Sequence, residues 1–180
     1  MKEVILIPSY EPNNKLLELI NKIDKKRFDI VVVNDGSGKK YDDLFNKIND
    51  QVHLISYFKN QGKGYALKKG VSYIQKTYLN DYIIVTMDSD GQHQVEDAMK
   101  LCEYTKSHLK QYVLGMRKRN ENTPLKSRLG NIITKSVYAF VTGVSVYDTQ
   151  TGLRCFSDYL TDFMLNCCGV GVSDGVSAFK

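Results

Sequence analysis

Short apolar segments that end in polar turns and lead into helices recur along the first two thirds of this 180-residue chain. The clearest is Asp29–Asn34, in which four β-branched residues follow one another without a polar break. Such a segment has no solvent-facing side, which is typical of a strand buried on both faces of a parallel sheet. Strands that alternate with helices predict an α/β domain, and this length suits one hydrophobic core.

The spacing of apolar residues predicts where the other strands and helices lie. Strands are predicted at Val4–Ile7, His53–Ser56, Tyr82–Met87 and Tyr112–Leu114. Apolar residues at helical spacing predict helices over Pro12–Ile23, Lys63–Leu79, Val95–Leu109 and from Leu125 to Val141. Ligands bind beyond the carboxyl ends of the strands in such sheets, and the polar turns of this chain lie at those ends. We therefore expect these turns to form one site.

Composition excludes several classes of protein. The hydrophobic share of 42% and charged share of 25% are ordinary for a globular domain. The four cysteines lack paired spacing, so a disulfide framework is not expected and a reducing cytosol fits best. The apolar run Val4–Ile7 is too short for a signal peptide, and no run of about 18 apolar residues predicts a membrane span.

Asp88 and Asp90 follow the predicted strand Tyr82–Met87 directly. Two carboxylates at this spacing can face one hard cation, and Mg²⁺ or Mn²⁺ completes its coordination with water and substrate phosphates. A cation there would neutralise a diphosphate leaving group. The alternative is a polar turn without a ligand, because Asp, Ser and Gly all favour turns.

Two further polar segments are candidates for nucleotide contacts. Asp35 ends the second strand, where its carboxylate can accept hydrogen bonds from a nucleobase, or can instead cap a turn. Lys63 stands between Gly62 and Gly64 at a predicted helix start, which favours an anion. The glycines around Lys63 match neither a P-loop nor a dinucleotide-binding fingerprint. The alternative to an anion site is a helix start that carries an exposed lysine.

The segment from Lys106 to Lys135 holds eight basic residues and a single acidic residue, Glu121. Arg117 and Arg128 are its best phosphate ligands, because a guanidinium binds phosphate in a bidentate manner. The alternative is a solvated face, and no nucleic-acid-binding signature accompanies the charge. Asp148 and Arg154 flank a glycine turn and either reach a site or pair with each other.

Seven motifs in a fixed order together resemble the family 2 glycosyltransferases, and within them the dolichyl- and polyprenyl-phosphate sugar transferases. The motifs are Ile7–Pro12, Val32–Ser37, Asn60–Gly64, Met87–His93, Gly115–Arg117, Ser127–Asn131 and Asp148–Arg154. Each motif is weak alone, but seven in the right order are specific. The resemblance covers roughly residues 4–157.

This resemblance implies a Rossmann-like GT-A fold with a mainly parallel sheet flanked by helices. It implies a UDP- or GDP-linked sugar donor and Mg²⁺ or Mn²⁺ as cofactor. The nucleotide-sugar ligands that it implies are Pro8, Tyr10, Glu11, Asp35, Lys63, Asp88, Ser89, Asp90 and Gln92, with Asp88 and Asp90 also holding the metal. By the same analogy, Arg117 and Arg128 face phosphates, and Asp148 and Arg154 line the acceptor side.

The implied reaction is an inverting displacement of the nucleotide by an acceptor oxygen. A polyprenyl phosphate oxygen is already anionic near pH 7 and needs no strong base, whereas a glycan hydroxyl would need one, such as Asp148. The basic segment and the helix from Leu125 to Val141 suit a membrane-bound acceptor, although a core-packed helix fits equally. We expect a cytoplasmic enzyme at the inner face of the membrane, serving the cell envelope.

The predicted catalytic domain covers residues 1–165, and residues 166–180 form a glycine- and serine-rich tail that departs from the family pattern. We interpret this tail as the mark of a truncation. One alternative function is therefore nucleotide-sugar binding without catalysis. A sugar nucleotidyltransferase is disfavoured because it would open with a glycine-rich loop, and a nucleic-acid binder is the least favoured.

Overall fold

The computed structural model describes residues 1–115 and 152–167. Its strands are β1 (Lys2–Ser9), β2 (Phe28–Asp35), β3 (His53–Tyr57), β4 (Tyr82–Thr86), β5 (Val113–Leu114) and β6 (Arg154–Ser157). Its helices are α1 (Asn14–Lys22), α2 (Asp42–Asn46), α3 (Lys63–Tyr78), α4 (Val95–Ser107) and α5 (Thr161–Cys167). The strands form a six-stranded sheet in the order β3-β2-β1-β4-β6-β5.

The sheet is parallel from β3 to β4, and β6 runs antiparallel to both of its neighbours, β4 and β5. This arrangement confirms the predicted α/β class with a mainly parallel sheet. Each predicted strand in the described residues is present, with ends that differ by one or two residues.

Both faces of the central strands are covered. Successive side chains of β1 alternate between two cores, since the side-chain period of a strand is two. Ile5 and Ile7 join the core that includes residues of α1, α2 and α4, whereas Val4 and Leu6 join the core that includes residues of α3. Burial on both sides explains why these strands are apolar without interruption.

The structure corrects some predicted element ends. Helix α1 begins at Asn14 rather than Pro12, because Asn13 caps it by accepting the Lys15 N–H at 3.0 Å. The sequence did not predict α2, β6 or α5. These elements have only four to seven residues, which is too short for a periodic pattern of apolar residues to be recognised. The helix predicted from Leu125 to Val141 lies outside the described residues.

Cys102 and Cys155 are buried free thiols. Across residues 1–115 and 152–167, every helix is too short or too polar to cross a bilayer.

Candidate active site

The carboxyl ends of β1, β2 and β4 lie side by side at one edge of the sheet, because these strands are parallel. Ser9 of β1 pairs with Asn34 of β2, and Leu6 pairs with Thr86 of β4. The turns that leave these strands carry Tyr10, Asp35 and Asp88. The structure therefore brings the turns after β1, β2 and β4 to one edge of the sheet, as the sequence pattern predicted.

The turns after β1 and β2 are tied together by hydrogen bonds. The Glu11 N–H donates to Ser37 Oγ at 3.0 Å, and the Ser37 N–H donates to Asn34 Oδ1 at 3.0 Å. Glu11 has a φ of 48°, in the left-handed region, which costs about 1 kcal/mol for a residue with a side chain. Strain of this kind persists where neighbours impose the backbone conformation, here the Ser37 hydroxyl.

Three predicted nucleoside ligands follow one another along the β1 end. Pro8 is buried in the sheet, whereas Tyr10 and Glu11 are exposed. The neighbouring Glu11 carboxylate raises the pKa of the Tyr10 phenol. Tyr10 thus offers an exposed aromatic ring at the site edge, and Pro8 shapes the strand end rather than offering a polar contact.

Asp35 is almost completely buried, with 2% of the residue exposed. Its Oδ1 accepts hydrogen bonds from the Tyr57 hydroxyl at 2.7 Å and from the Gln61 N–H at 2.8 Å. Burial and the Asp35 carboxylate raise the pKa of Tyr57, so the hydroxyl stays a donor. The carboxylate is therefore held as an acceptor in a fixed orientation.

Gly36 brings the turn after β2 against the segment that precedes α3. Its φ is 67°, and a Cβ built there would lie 2.4 Å from the backbone of Lys59 and of Asn60. Both the backbone conformation and the close approach require glycine at this position. This contact sets the Gln61 N–H beside Asp35.

Asp88 lies between two groups that can carry positive charge. Its Oδ1 is 2.5 Å from Lys63 Nζ, and its Oδ2 is 3.5 Å from His93 Nε2. The His93 side chain is only 3% exposed, and among the described residues its Nε2 has no hydrogen-bond partner. At 3.5 Å the histidine contact is electrostatic rather than a formed hydrogen bond, so the Lys63 ion pair is the firmer of the two.

His93 and Lys63 hold the pKa of Asp88 well below its usual range, although partial burial acts in the opposite direction. Asp88 therefore stays anionic to a lower pH than an ordinary aspartate does.

The other residues of the Asp88–Gln92 turn lie beside it. Asp90 Oδ1 accepts the Gln92 N–H at 2.9 Å, which closes a local turn. Ser89 and Asp90 are partly exposed, and Gln92 is exposed. A cavity of about 450 Å³ opens next to Asp90 and Gln92, between α1 and the start of α4.

The donor set fits a cation that shares its coordination with a substrate. Residues 1–115 and 152–167 hold no cluster of three or more His, Cys, Asp or Glu side chains that would enclose a metal. Mg²⁺ and Mn²⁺ sites that use one or two carboxylates and substrate phosphates need no such cluster. In this structure the Lys63 ammonium contacts Asp88 Oδ1, so a metal ion at that oxygen would have to displace it.

Gly152 covers Asp88 from the antiparallel side of the sheet. A Cβ built on it would lie 2.1 Å from Asp88 Oδ2. Its carbonyl accepts the Thr86 hydroxyl at 2.8 Å. Arg154, two residues later, pairs with Thr86 in the β4–β6 register. The described end of the last predicted motif, residues 152–154, therefore reaches the same site through β6.

The predicted residues Arg117, Arg128 and Asp148 lie outside the described residues, and their roles stay predictions. Sequence reasoning gave no role to Tyr57. The position of Tyr57 at the end of its strand was the available signal. Using that signal requires knowing that β2 and β3 are neighbours.

Comparison with known proteins identifies the family. The model of the family described as "Glycosyl transferase family 2" matches residues 4–165. A UDP-N-acetylglucosamine–dolichyl-phosphate N-acetylglucosaminyltransferase of Methanococcus voltae is 29% identical, and the match covers 85% of this chain and 68% of that protein. A dolichyl-phosphate beta-glucosyltransferase of Saccharomyces cerevisiae is 27% identical, and the match covers 85% of this chain and 54% of that protein.

Among solved structures, a mannosyltransferase from Pyrobaculum calidifontis, in complex with GDP-Man and Mn²⁺, has a TM-score of 0.60. The identity is 13%, and the match covers 91% of this chain and 46% of that one. The likeness confirms the predicted GT-A fold, and the dolichyl-phosphate relatives confirm the resemblance to polyprenyl-phosphate sugar transferases. Since the family model spans most of its length, this chain belongs to glycosyl transferase family 2.

Proposed function

We propose that this glycosyltransferase moves a sugar from a UDP- or GDP-linked donor to a polyprenyl phosphate. The observation that carries the proposal is the anionic Asp88 beside Lys63, at the same edge of the sheet as the oriented Asp35. A nucleoside diphosphate offers base N–H groups to a carboxylate and phosphates to cations. The names of the Methanococcus and yeast relatives support a lipid-phosphate acceptor.

In this proposal Asp35, Tyr10, Glu11 and Pro8 surround the nucleoside, and Lys63 contributes positive charge at the diphosphate. The N-terminus of the 16-residue helix α3 favours the same anion. Mg²⁺ or Mn²⁺, held by Asp88 and Asp90 with Ser89 and Gln92 nearby, would neutralise the leaving diphosphate.

In the proposed reaction, an acceptor oxygen forms a bond to the anomeric carbon as the bond to the diphosphate breaks, with inversion. A phosphate acceptor attacks as an anion, so positioning and charge neutralisation suffice. Arg117 and Arg128 would bind donor or acceptor phosphates. Asp148 would serve as general base if the acceptor were a glycan hydroxyl.

A lipid-phosphate acceptor would bring the enzyme to the inner face of the membrane. The basic segment from Lys106 to Lys135 would then contact anionic headgroups. We keep residues 1–165 as the proposed catalytic domain and 166–180 as its atypical tail. The chain spans 68% of its archaeal relative and about half of its yeast relative, so the activity of the complete protein is part of this proposal.

Calorimetric titration with UDP, GDP, CDP and ADP, each with and without Mn²⁺, tests the donor. We expect one uridine or guanosine nucleotide to bind tightly, and only with metal. Metal-independent binding, or binding of none by a folded sample, would contradict the proposal.

Transfer of labelled sugar to a short polyprenyl phosphate, compared with transfer to an oligosaccharide, tests the acceptor. Transfer to the lipid phosphate alone supports the proposal, and transfer to the oligosaccharide alone favours the hydroxyl alternative. Metal-dependent binding with no transfer to either would favour a nucleotide-sugar-binding domain without catalysis.

A further inference from the structure

We propose that Gly152 is a positioning residue, whose missing side chain leaves the space in which the Asp88 carboxylate lies. An ideal Cβ on Gly152 would be 2.1 Å from Asp88 Oδ2, 2.3 Å from its Cγ and 2.4 Å from its Oδ1. All three distances are far shorter than a non-bonded contact between heavy atoms. The carboxylate therefore packs directly on the backbone of Gly152.

The requirement is for space rather than for backbone conformation. A positive φ disfavours any residue other than glycine, even where a side chain would have space. The glycines with a positive φ are Gly36, Gly38, Gly62 and Gly91. Gly152 has no φ in that range, so alanine would meet no backbone strain there. Collision with Asp88 is the effect that an added methyl group would introduce.

The backbone of Gly152 is anchored to β4 by a hydrogen bond. Its carbonyl accepts the buried Thr86 hydroxyl at 2.8 Å, and β6 begins two residues later in register with β4. The peptide of Gly152 is thus fixed to the strand that delivers Asp88. An added methyl group would displace the flexible Asp88 side chain rather than β6.

Displacement of the carboxylate has a defined consequence. Asp88 Oδ1 lies 2.5 Å from Lys63 and Oδ2 lies 3.5 Å from His93, so movement away from Gly152 disturbs both contacts. If the proposed function holds, the same movement removes a metal ligand from its place. This part of the inference rests on that proposed function.

The first experiment measures Mn²⁺ binding alone by electron paramagnetic resonance. We expect Gly152→Ala to retain the far-ultraviolet circular dichroism of the parent and to lose at least tenfold in Mn²⁺ affinity. Gly115→Ala is the matched control, because the atoms nearest to its Cβ belong to the Leu153 side chain, at 2.5 Å, rather than to Asp88. Unchanged Mn²⁺ affinity in a folded Gly152→Ala protein overturns the inference.

The second experiment needs neither metal nor nucleotide. The urea midpoint is measured for Gly152→Ala in the parent and in an Asp88→Ala background, which lacks the colliding carboxylate. We expect Gly152→Ala to lower the urea midpoint in the parent background and to change it little in the Asp88→Ala background. Gly115→Ala should lower the urea midpoint equally in both backgrounds. Equal loss in both backgrounds from Gly152→Ala, or none in either, contradicts the proposed role.

The two experiments separate the two proposals. Absence of Mn²⁺ binding by the parent would count against the proposed metal site, while the stability cycle would still decide the role of Gly152.

Discussion

Glu3 at the start of β1 and Asp88 after the end of β4 lie at opposite edges of the sheet, and basic side chains lie beside both carboxylates. Glu3 Oε2 is 2.6 Å from Arg27 Nε, and its Oε1 is 2.6 Å from Lys106 Nζ. The Glu3 side chain is 6% exposed. Arg27 and Lys106 also pair with Glu103 on α4. We call this network closed because its central carboxylate, Glu3, is buried. It joins β1 to α4 and to the segment before β2.

The Asp88 cluster is open by comparison. The side chains of Asp88 and Lys63 are 27% and 55% exposed, and the buried His93 Nε2 has no hydrogen-bond partner among the described residues. A closed network stabilises a fold, whereas an open one keeps charge available to a ligand. The difference teaches that the number of charges near a carboxylate is a poor guide to function, and that the exposure of the carboxylate itself is a better one.

The largest effect that we expect is at the open cluster. Asp88→Asn and Asp90→Asn should each lower the Mn²⁺-dependent affinity for the preferred nucleotide by roughly 100-fold or more, because each removes an anionic ligand. The unfolding free energy should change by less than about 1 kcal/mol, since the Lys63 pair is half exposed. Parent-like Mn²⁺ dependence in both variants would refute the metal assignment.

A substitution in the closed network should lower stability and leave nucleotide affinity nearly unchanged. Glu3→Gln should lower the unfolding free energy by about 2 kcal/mol, because it leaves Arg27 and Lys106 without their buried partner. Nucleotide affinity should stay within about twofold, as Glu3 lies at the far edge of the sheet. Urea denaturation and calorimetry measure the two quantities. A strong loss of affinity with little loss of stability would reverse the comparison.

A smaller effect is expected at Asp35. Tyr57→Phe removes one of its two hydrogen bonds, worth about 1 kcal/mol, and should weaken nucleotide binding about fivefold. The loss should be equal with and without Mn²⁺, because Asp35 faces the base rather than the metal in our proposal. Tyr73→Phe is a control, since its hydroxyl contacts His53 in β3. A loss confined to the metal-containing titration would argue against this division of roles.

The smallest effect concerns pH. The folded protein holds the pKa of Asp88 below its ordinary value of 3.8, so this group stabilises the fold above about pH 4 and loses that contribution as pH falls further. The parent should therefore exceed Asp88→Asn in stability near pH 5 by less than about 1 kcal/mol, and the difference should shrink toward pH 2. Parallel stability curves over this range would contradict the assignment.

Much of this protein follows from local sequence patterns. The uninterrupted apolar segment Asp29–Asn34 indicated a strand buried on both faces, and the chain order of strands and helices indicated the α/β class. Because parallel strands end at a common edge, the polar turns at Asp35 and Asp88 were expected to converge. The ordered motifs then indicated the family, which the family model confirms.

Other contacts depend on which strands become neighbours, and only the tertiary structure decided them. Tyr57 reaches Asp35 because β3 pairs with β2, and the two residues are 22 positions apart. Gly152 reaches Asp88 because β6 inserts antiparallel beside β4, across a separation of 66 positions between Thr86 and Gly152. Hydrophobic period and turn residues report the local backbone, whereas the space that Gly152 leaves for Asp88 exists only once distant strands have packed together.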